Sequence, residues 1–150
     1  MTGPAVIYWG SRDRGVCMER HVATCSCGQL RLVCEGDPVR VSLCHCLACQ
    51  QRTGSVFGVT ARYAKDKVAI EGRSTRFVRK GDEGSSATFR FCPDCGSTVY
   101  WEADVQPDVI AVAVGCFADP KFPAPVREVY TNRQHPWTRH LAGHPMESYR

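Results

Sequence analysis

Ten cysteines stand in a chain of 150 residues, and their spacing limits what the chain can become. Seven fall into three tight groups: Cys25-x-Cys27, Cys44-x-Cys46-x-x-Cys49 and Cys92-x-x-Cys95. Cys17, Cys34 and Cys116 stand alone. A disulfide framework belongs to short secreted chains. The first residues, MTGPAVIYWGSRDRG, show no basic start followed by an apolar stretch, so no secretory signal is expected. Cysteines two positions apart also sit too close for easy bridging to each other. Clustered thiols of this kind predict metal binding in a reducing compartment, and therefore a cytoplasmic protein.

The remaining composition is that of an ordinary globular domain, with 43% hydrophobic and 23% charged residues. The longest apolar run, residues 109–114, is strand-sized, far short of the roughly 20 residues a membrane helix needs. No membrane partner is expected. The formal net charge of +4 assumes neutral thiols. Seven thiolates on two zinc ions would lower it by three, to +1, and the Lys and Arg residues form no run. A nucleic-acid partner is therefore not expected. Oligomeric state is not legible.

Short alternating segments dominate from His21 onward. Leu30, Leu32 and Cys34 alternate with Arg31, Val33 and Glu35 until Gly36-Asp37-Pro38. Val39, Val41 and Leu43 alternate with Arg40, Ser42 and Cys44. Residues 55–61, 68–70, 75–78, 87–91, 98–101, 109–114 and 126–130 read as further strands, with 109–114 buried on both faces. A helical turn is expected over residues 47–52. Turn signals at short intervals predict an all-β, antiparallel fold. Residues 1–20 lack any period and read as an N-terminal extension, or as sequence upstream of a start at Met18; residues 21–150 read as the domain.

Cys92-Pro93-Asp94-Cys95-Gly96 reads as a zinc knuckle, because Gly96 permits the positive φ that turns nearby N–H groups toward sulfur. Cys25-Ser26-Cys27-Gly28 offers two more ligands if a strand points Cys25 and Cys27 to one face. Four thiolates would make a closed, structural site joining distant strands. A redox Cys-x-x-Cys pair would need a βαβ setting, which the pattern lacks. Cys44, Cys46 and Cys49 make the second cluster. Three ligands would leave a position open for chemistry. A remote fourth ligand (His45, Cys34 or Cys116) would instead close it. Cys34 and Cys116 fit core positions and Cys17 reads as an incidental thiol. Gly54-Ser55 reads as turn chemistry. His135 is weighed as a pocket residue against a surface one, and His140 and His144 as solvated.

Together these motifs resemble the glutathione-dependent formaldehyde-activating enzyme family, also called the CENP-V domain family. The residues that carry the resemblance are Cys25-Ser26-Cys27-Gly28, Cys44-His45-Cys46-Leu47-Ala48-Cys49-Gln50 with Gly54-Ser55, Phe91-Cys92-Pro93-Asp94-Cys95-Gly96-Ser97, and Pro136-Trp137. The likeness implies an antiparallel β-tent similar to Mss4-like proteins, stapled by zinc. It implies two zinc ions: a structural one on Cys25, Cys27, Cys92 and Cys95, and a labile, catalytic one on Cys44, Cys46 and Cys49. It implies a carbon–sulfur lyase type of reaction, condensing formaldehyde with a small-molecule thiol such as glutathione. The family often carries a histidine near the start of the last strand, where this chain has Arg127-Glu128. Arg52, Arg62 and Arg133 are candidate partners for an anionic substrate. The competing reading is a zinc-stapled binding module without turnover, and an open or closed second site discriminates the two.

Overall fold

A computed structural model describes residues 19–81 and 84–140. Cys17 and His144 lie outside the described residues. The strands are β1 (Arg20–Thr24), β2 (Arg31–Glu35), β3 (Arg40–Cys44), β4 (Gly58–Ala64), β5 (Val68–Glu71), β6 (Thr75–Lys80), β7 (Ser86–Phe91), β8 (Thr98–Ala103), β9 (Gln106–Ala113) and β10 (Arg127–Val129). One α-helix, α1 (Leu47–Thr53), follows β3. The fold is all-β, and the strands form two sheets. A small one has the order β1-β2-β5, and a seven-stranded one has the order β10-β3-β4-β9-β8-β7-β6.

Pairing is antiparallel throughout except at one edge, where β10 runs parallel to β3. A chain returning after β9 reaches β3 by a long crossover, and that permits the parallel direction. Antiparallel sheets commonly bury one face and leave the other to solvent or ligand. Here one cross-strand row, Val41–Ala61–Val112–Tyr100, faces the core. It packs with Ala23, Leu32 and Cys34 of the small sheet. The adjacent row, Arg40–Arg62–Ala111–Trp101–Phe89, points to the opposite face. Its inner members Phe89, Trp101 and Ala111 form a second, smaller apolar cluster. This is why residues 109–114 read as doubly buried. Val112 belongs to the core and Ala111 to the other face.

Several expected boundaries shift for local reasons. Val39 lies outside β3 and is 73% exposed. Residues 55–57 are not in β4, because Gly54 closes α1 in the left-handed region (φ +67°) and Thr53 Oγ1 accepts from Ser55 N–H. The expected helical turn is α1 itself, capped at its start by Cys46. Cys34 is buried in the core. Cys116 lies on a 3₁₀ turn rather than in a strand, and packs against that core half-buried.

Candidate metal centres and pocket

The first thiol cluster brings together Cys25, Cys27, Cys92 and Cys95, with all four sulfurs within 4.8 Å of one another. Cys25 Sγ lies 3.5 Å from Cys27 Sγ, and Cys27 Sγ lies 3.6 Å from Cys92 Sγ. Sulfurs on one tetrahedral zinc stand about 3.7 Å apart, from a Zn–S distance of about 2.3 Å. The four thiols thus fit a single tetrahedral ion. Cys25 and Cys27 do not lie in a strand, contrary to expectation. They sit on the turn after β1, and Gly28 N–H closes that turn on the Cys25 carbonyl at 3.0 Å. The hairpin between β7 and β8 repeats the device, with Gly96 at φ +74° donating to the Cys92 carbonyl at 2.9 Å. Each turn aims an N–H at a sulfur: Leu30 N to Cys25 Sγ at 3.3 Å, and Asp94 N to Cys92 Sγ at 3.4 Å.

Two side chains tie the turns to each other. Ser97 Oγ accepts from Ser26 N–H and lies 2.8 Å from Ser26 Oγ. Gln29 Nε2 donates to Cys92 Sγ at 2.9 Å and to the Arg73 carbonyl at 2.8 Å, while its Oε1 accepts from Arg73 N–H. Gly72 makes this approach possible. A Cβ there would stand 1.9 Å from the Gln29 carbonyl oxygen. Hydrogen bonds from Ser97, first its hydroxyl and then its backbone, hold the Cys95 thiol well down, to about 5.

The second cluster is built from one short segment. Cys44 ends β3, Cys46 caps α1 and Cys49 lies in its first turn, and their sulfurs lie within 4.8 Å of one another. Cys49 N–H donates to Cys46 Sγ at 3.3 Å. Among the described residues no further Cys, His, Asp or Glu joins this group. Cys34 and Cys116 stay with the core. His45 is buried (1% exposed) and turns away, placing Nε2 2.6 Å from Glu128 Oε1. Glu128 therefore fastens β10 to the residue between two of the thiols. Cys44 and Cys49 titrate against each other. Cys49 is held low, to about 5, by the thiol of Cys44 and further by Cys46 and the Arg52 guanidinium, against burial. Cys44 is pushed up, first by its hydrogen bond to Cys49 and then by burial.

These three thiols border a cavity of about 1000 Å³ on the face of the seven-stranded sheet away from the core. Ser42, Thr60, Phe89 and Trp101 line it, along with Arg40, Arg62, Arg79, Arg127 and Arg133. No Asp or Glu is among the described lining residues. Of the three arginines named from the sequence, Arg62 and Arg133 line this cavity. Arg52 does not. Its guanidinium lies 4.4 Å over the Trp101 ring and lines a smaller cavity with Cys95 and Cys116. His135 contacts Gln50 Oε1 through Nε2 at 3.1 Å and is not among the residues lining the large cavity.

The family model for glutathione-dependent formaldehyde-activating enzymes matches residues 20–133. The chain belongs to this family. No curated protein matches it. Among solved structures it is similar to a Rhodobacter sphaeroides protein, with a TM-score of 0.54 and 19% identity over 71% of this chain and 98% of that one. That likeness supports the fold alone.

Both thiol clusters of this glutathione-dependent formaldehyde-activating enzyme family member fall inside the matched span, and both can hold metal. Sequence reasoning missed three groups of site residues. Gln29 carries no motif; only the turn after Cys27 and Gly72 bring it to sulfur. Glu128 reads as surface charge until β10 pairs beside β3. Arg40 and Arg127 look like scattered cations in sequence. The strand alternation placing Arg40 on the face of Ser42 and Cys44 was the available signal.

Proposed function

We propose that the chain is a zinc-dependent enzyme of the carbon–sulfur lyase type, acting on glutathione or a similar thiol and on formaldehyde or a related aldehyde adduct. The observation that carries this reading is the three-thiol group opening onto an arginine-lined cavity. Soft thiolate donors at this spacing suit zinc. On this reading Cys25, Cys27, Cys92 and Cys95 hold a structural ion, and Cys44, Cys46 and Cys49 hold a second, catalytic one. An ion at the second site would supply a Lewis-acid position with room for a further ligand.

The chain's own residues account for the rest. Arginine forks bind carboxylates bidentately, so Arg62 and Arg133 can anchor a thiol that carries them. Trp101 and Phe89 form an apolar wall. In the reaction the sulfur adds to the aldehyde carbon, and the thiol proton passes to the former carbonyl oxygen. Thiols add to aldehydes readily in water, so positioning is the enzyme's main contribution. The domain is assigned to residues 21–150, with 1–20 as an extension. No helix among the described residues is long and apolar enough to cross a membrane. Free thiols at all nine described cysteines suit a reducing, cytoplasmic setting.

Exchange NMR on formaldehyde and glutathione tests the proposal. The zinc-loaded protein should speed exchange between free and adduct signals above a protein-free blank. An exchange rate equal to the blank, with glutathione and with small thiols alike, would reject it in favour of a binding module.

A further inference from the structure

Three arginines of the cavity share one patch of the sheet face. Arg40 on β3 and Arg62 on β4 are direct cross-strand partners. Arg127 on β10 is the partner of Ser42, two residues along β3 from Arg40. Like charges placed directly opposite on neighbouring strands destabilise a sheet. None of the ion pairs among the described residues relieves these three. The Nε of Arg40 is buried without a hydrogen-bond partner, and Arg62 Nη1 spends its bond on Ser42 Oγ at 3.2 Å. Ser42 and Thr60, paired across β3 and β4, are buried hydroxyl residues beside the arginines. Burial first, then the charges of Arg40 and Arg127, weaken the hold of Arg62 on its proton, against a partial offset from Cys44 and Cys49. A ligand of opposite charge would offset this repulsion.

We propose that Arg40, Arg62 and Arg127, with the hydroxyls of Ser42 and Thr60, form a phosphate subsite, and that the substrate of this chain carries a phosphate monoester. Charge and shape favour phosphate. A phosphate monoester brings close to two negative charges and three terminal oxygens, one for each guanidinium. Glutathione instead spreads its charge over two separated carboxylates and an ammonium, so a compact patch of three guanidiniums meets only one carboxylate and its two oxygens at a time. The subsite stands on the arginines alone. The substrate half rests on the thiol-adduct reading given above. Arg40 lies four residues before Cys44 on the same strand, about 13 Å between Cα atoms, and both side chains reach into the cavity. The substrate therefore carries its phosphate at a separation of up to about 13 Å from the reacting sulfur or aldehyde carbon.

Calorimetry on the zinc-loaded full chain at constant ionic strength tests this, with inorganic phosphate, methyl phosphate, succinate and glutathione as separate ligands. Methyl phosphate should bind at least about tenfold more tightly than succinate or glutathione, the scale of one charge-assisted bond. Arg62→Gln and Arg127→Gln should each remove about that factor. Arg127 is exposed on an edge strand, so its variant folds even where Arg62→Gln does not. Equal affinity for succinate and both phosphates, or unchanged affinity in the Arg127 variant, overturns the subsite. Inorganic phosphate binding well while methyl phosphate does not overturns the substrate half. A cobalt-loaded sample titrated with a neutral thiol, 2-mercaptoethanol, reports separately on the three-thiol site. A spectral response there without phosphate binding leaves the proposed function and removes this inference. Phosphate binding without that response does the reverse.

Discussion

The two thiol clusters use the same donor atoms in opposite ways. The four-thiol cluster joins the turn after β1 to the β7–β8 hairpin, with Cys27 and Cys92 65 positions apart. Its sulfurs are held by backbone N–H groups, by Gln29 and by the Ser26–Ser97 pair. The three-thiol cluster closes no long loop. Its ligands lie within one β3–α1 junction and face a cavity. A cross-link stabilises in proportion to the chain disorder it removes. The first cluster is thus built to hold the fold, and the second to present an ion. The difference lies in sequence separation and in hydrogen bonding to sulfur, not in donor chemistry.

The sharpest way to break this comparison is to remove one thiol from each cluster. Structural zinc supplies on the order of 10 kcal/mol in small domains, comparable to the whole stability of a domain this size. Cys92→Ser should give insoluble or molten protein, with near-UV circular dichroism lost. Cys49→Ser should fold, melt cooperatively and bind one zinc fewer. Native-like melting in both variants would erase the distinction.

Chelation separates the clusters without mutation. Three thiolates release zinc more readily than four, and the described residues supply no fourth ligand at the second site. A chromophoric chelator should therefore remove one ion per chain while the far-UV spectrum persists, and a second only on unfolding. A small thiol should change the first step alone. Release of both ions in a single step would show that the sites share one fate.

A third test touches the frame around the four-thiol cluster. Gly72→Ala places a methyl against the Gln29 carbonyl and forces a non-glycine residue to φ +93°. Strain of this kind costs about 1–3 kcal/mol, and displacing Gln29 also weakens its bond to Cys92 sulfur. The melting temperature should fall by several degrees, while the metal content of the three-thiol site stays the same. Loss of zinc from the second site would contradict the separation of roles.

The cysteine spacing made both clusters legible, because ligand spacing is a local property of the chain. Alternation likewise placed Leu32 and Cys34 in the core. Local patterns failed where tertiary pairing decided the outcome. Nothing local distinguishes Glu128 from any surface glutamate until β10 runs parallel beside β3. Arg40 and Arg62 are 22 positions apart, and only the β3–β4 register sets them side by side. The strand expected at Cys25–Cys27 is a turn because Gly28 at φ +80° reverses the chain there. The glycine after Cys95 reverses the chain in the same way, at φ +74°.

The smallest expected effect distinguishes thiols inside the second cluster. With its ion stripped by mild chelation and the four-thiol site intact, Cys44 and Cys49 share a proton. The Cys44 thiol donates to Cys49, Cys46 adds a second bond, and the Arg52 guanidinium favours the anion, so Cys49 ionises near 5. Cys44 is the donor in that exchange and stays protonated. A thiolate attacks iodoacetamide and a thiol does not. Peptide mass spectrometry after brief labelling at pH 7 should thus find Cys49 modified before Cys44. The labelling rate at Cys49 should hold down to about pH 5 and fall below it, because protonation there removes the nucleophile. An ordinary thiol would already have lost reactivity below its usual value of 9.0. Arg52→Met should move the fall in Cys49 labelling up by about half a pH unit, slowing it by about threefold below pH 5 and leaving it nearly unchanged at pH 7, the consequence of one neighbouring charge lost. Equal labelling of Cys44 and Cys49, insensitive to Arg52, would mean that the segment carries three equivalent thiols. Its readiness to take an ion would then owe nothing to α1.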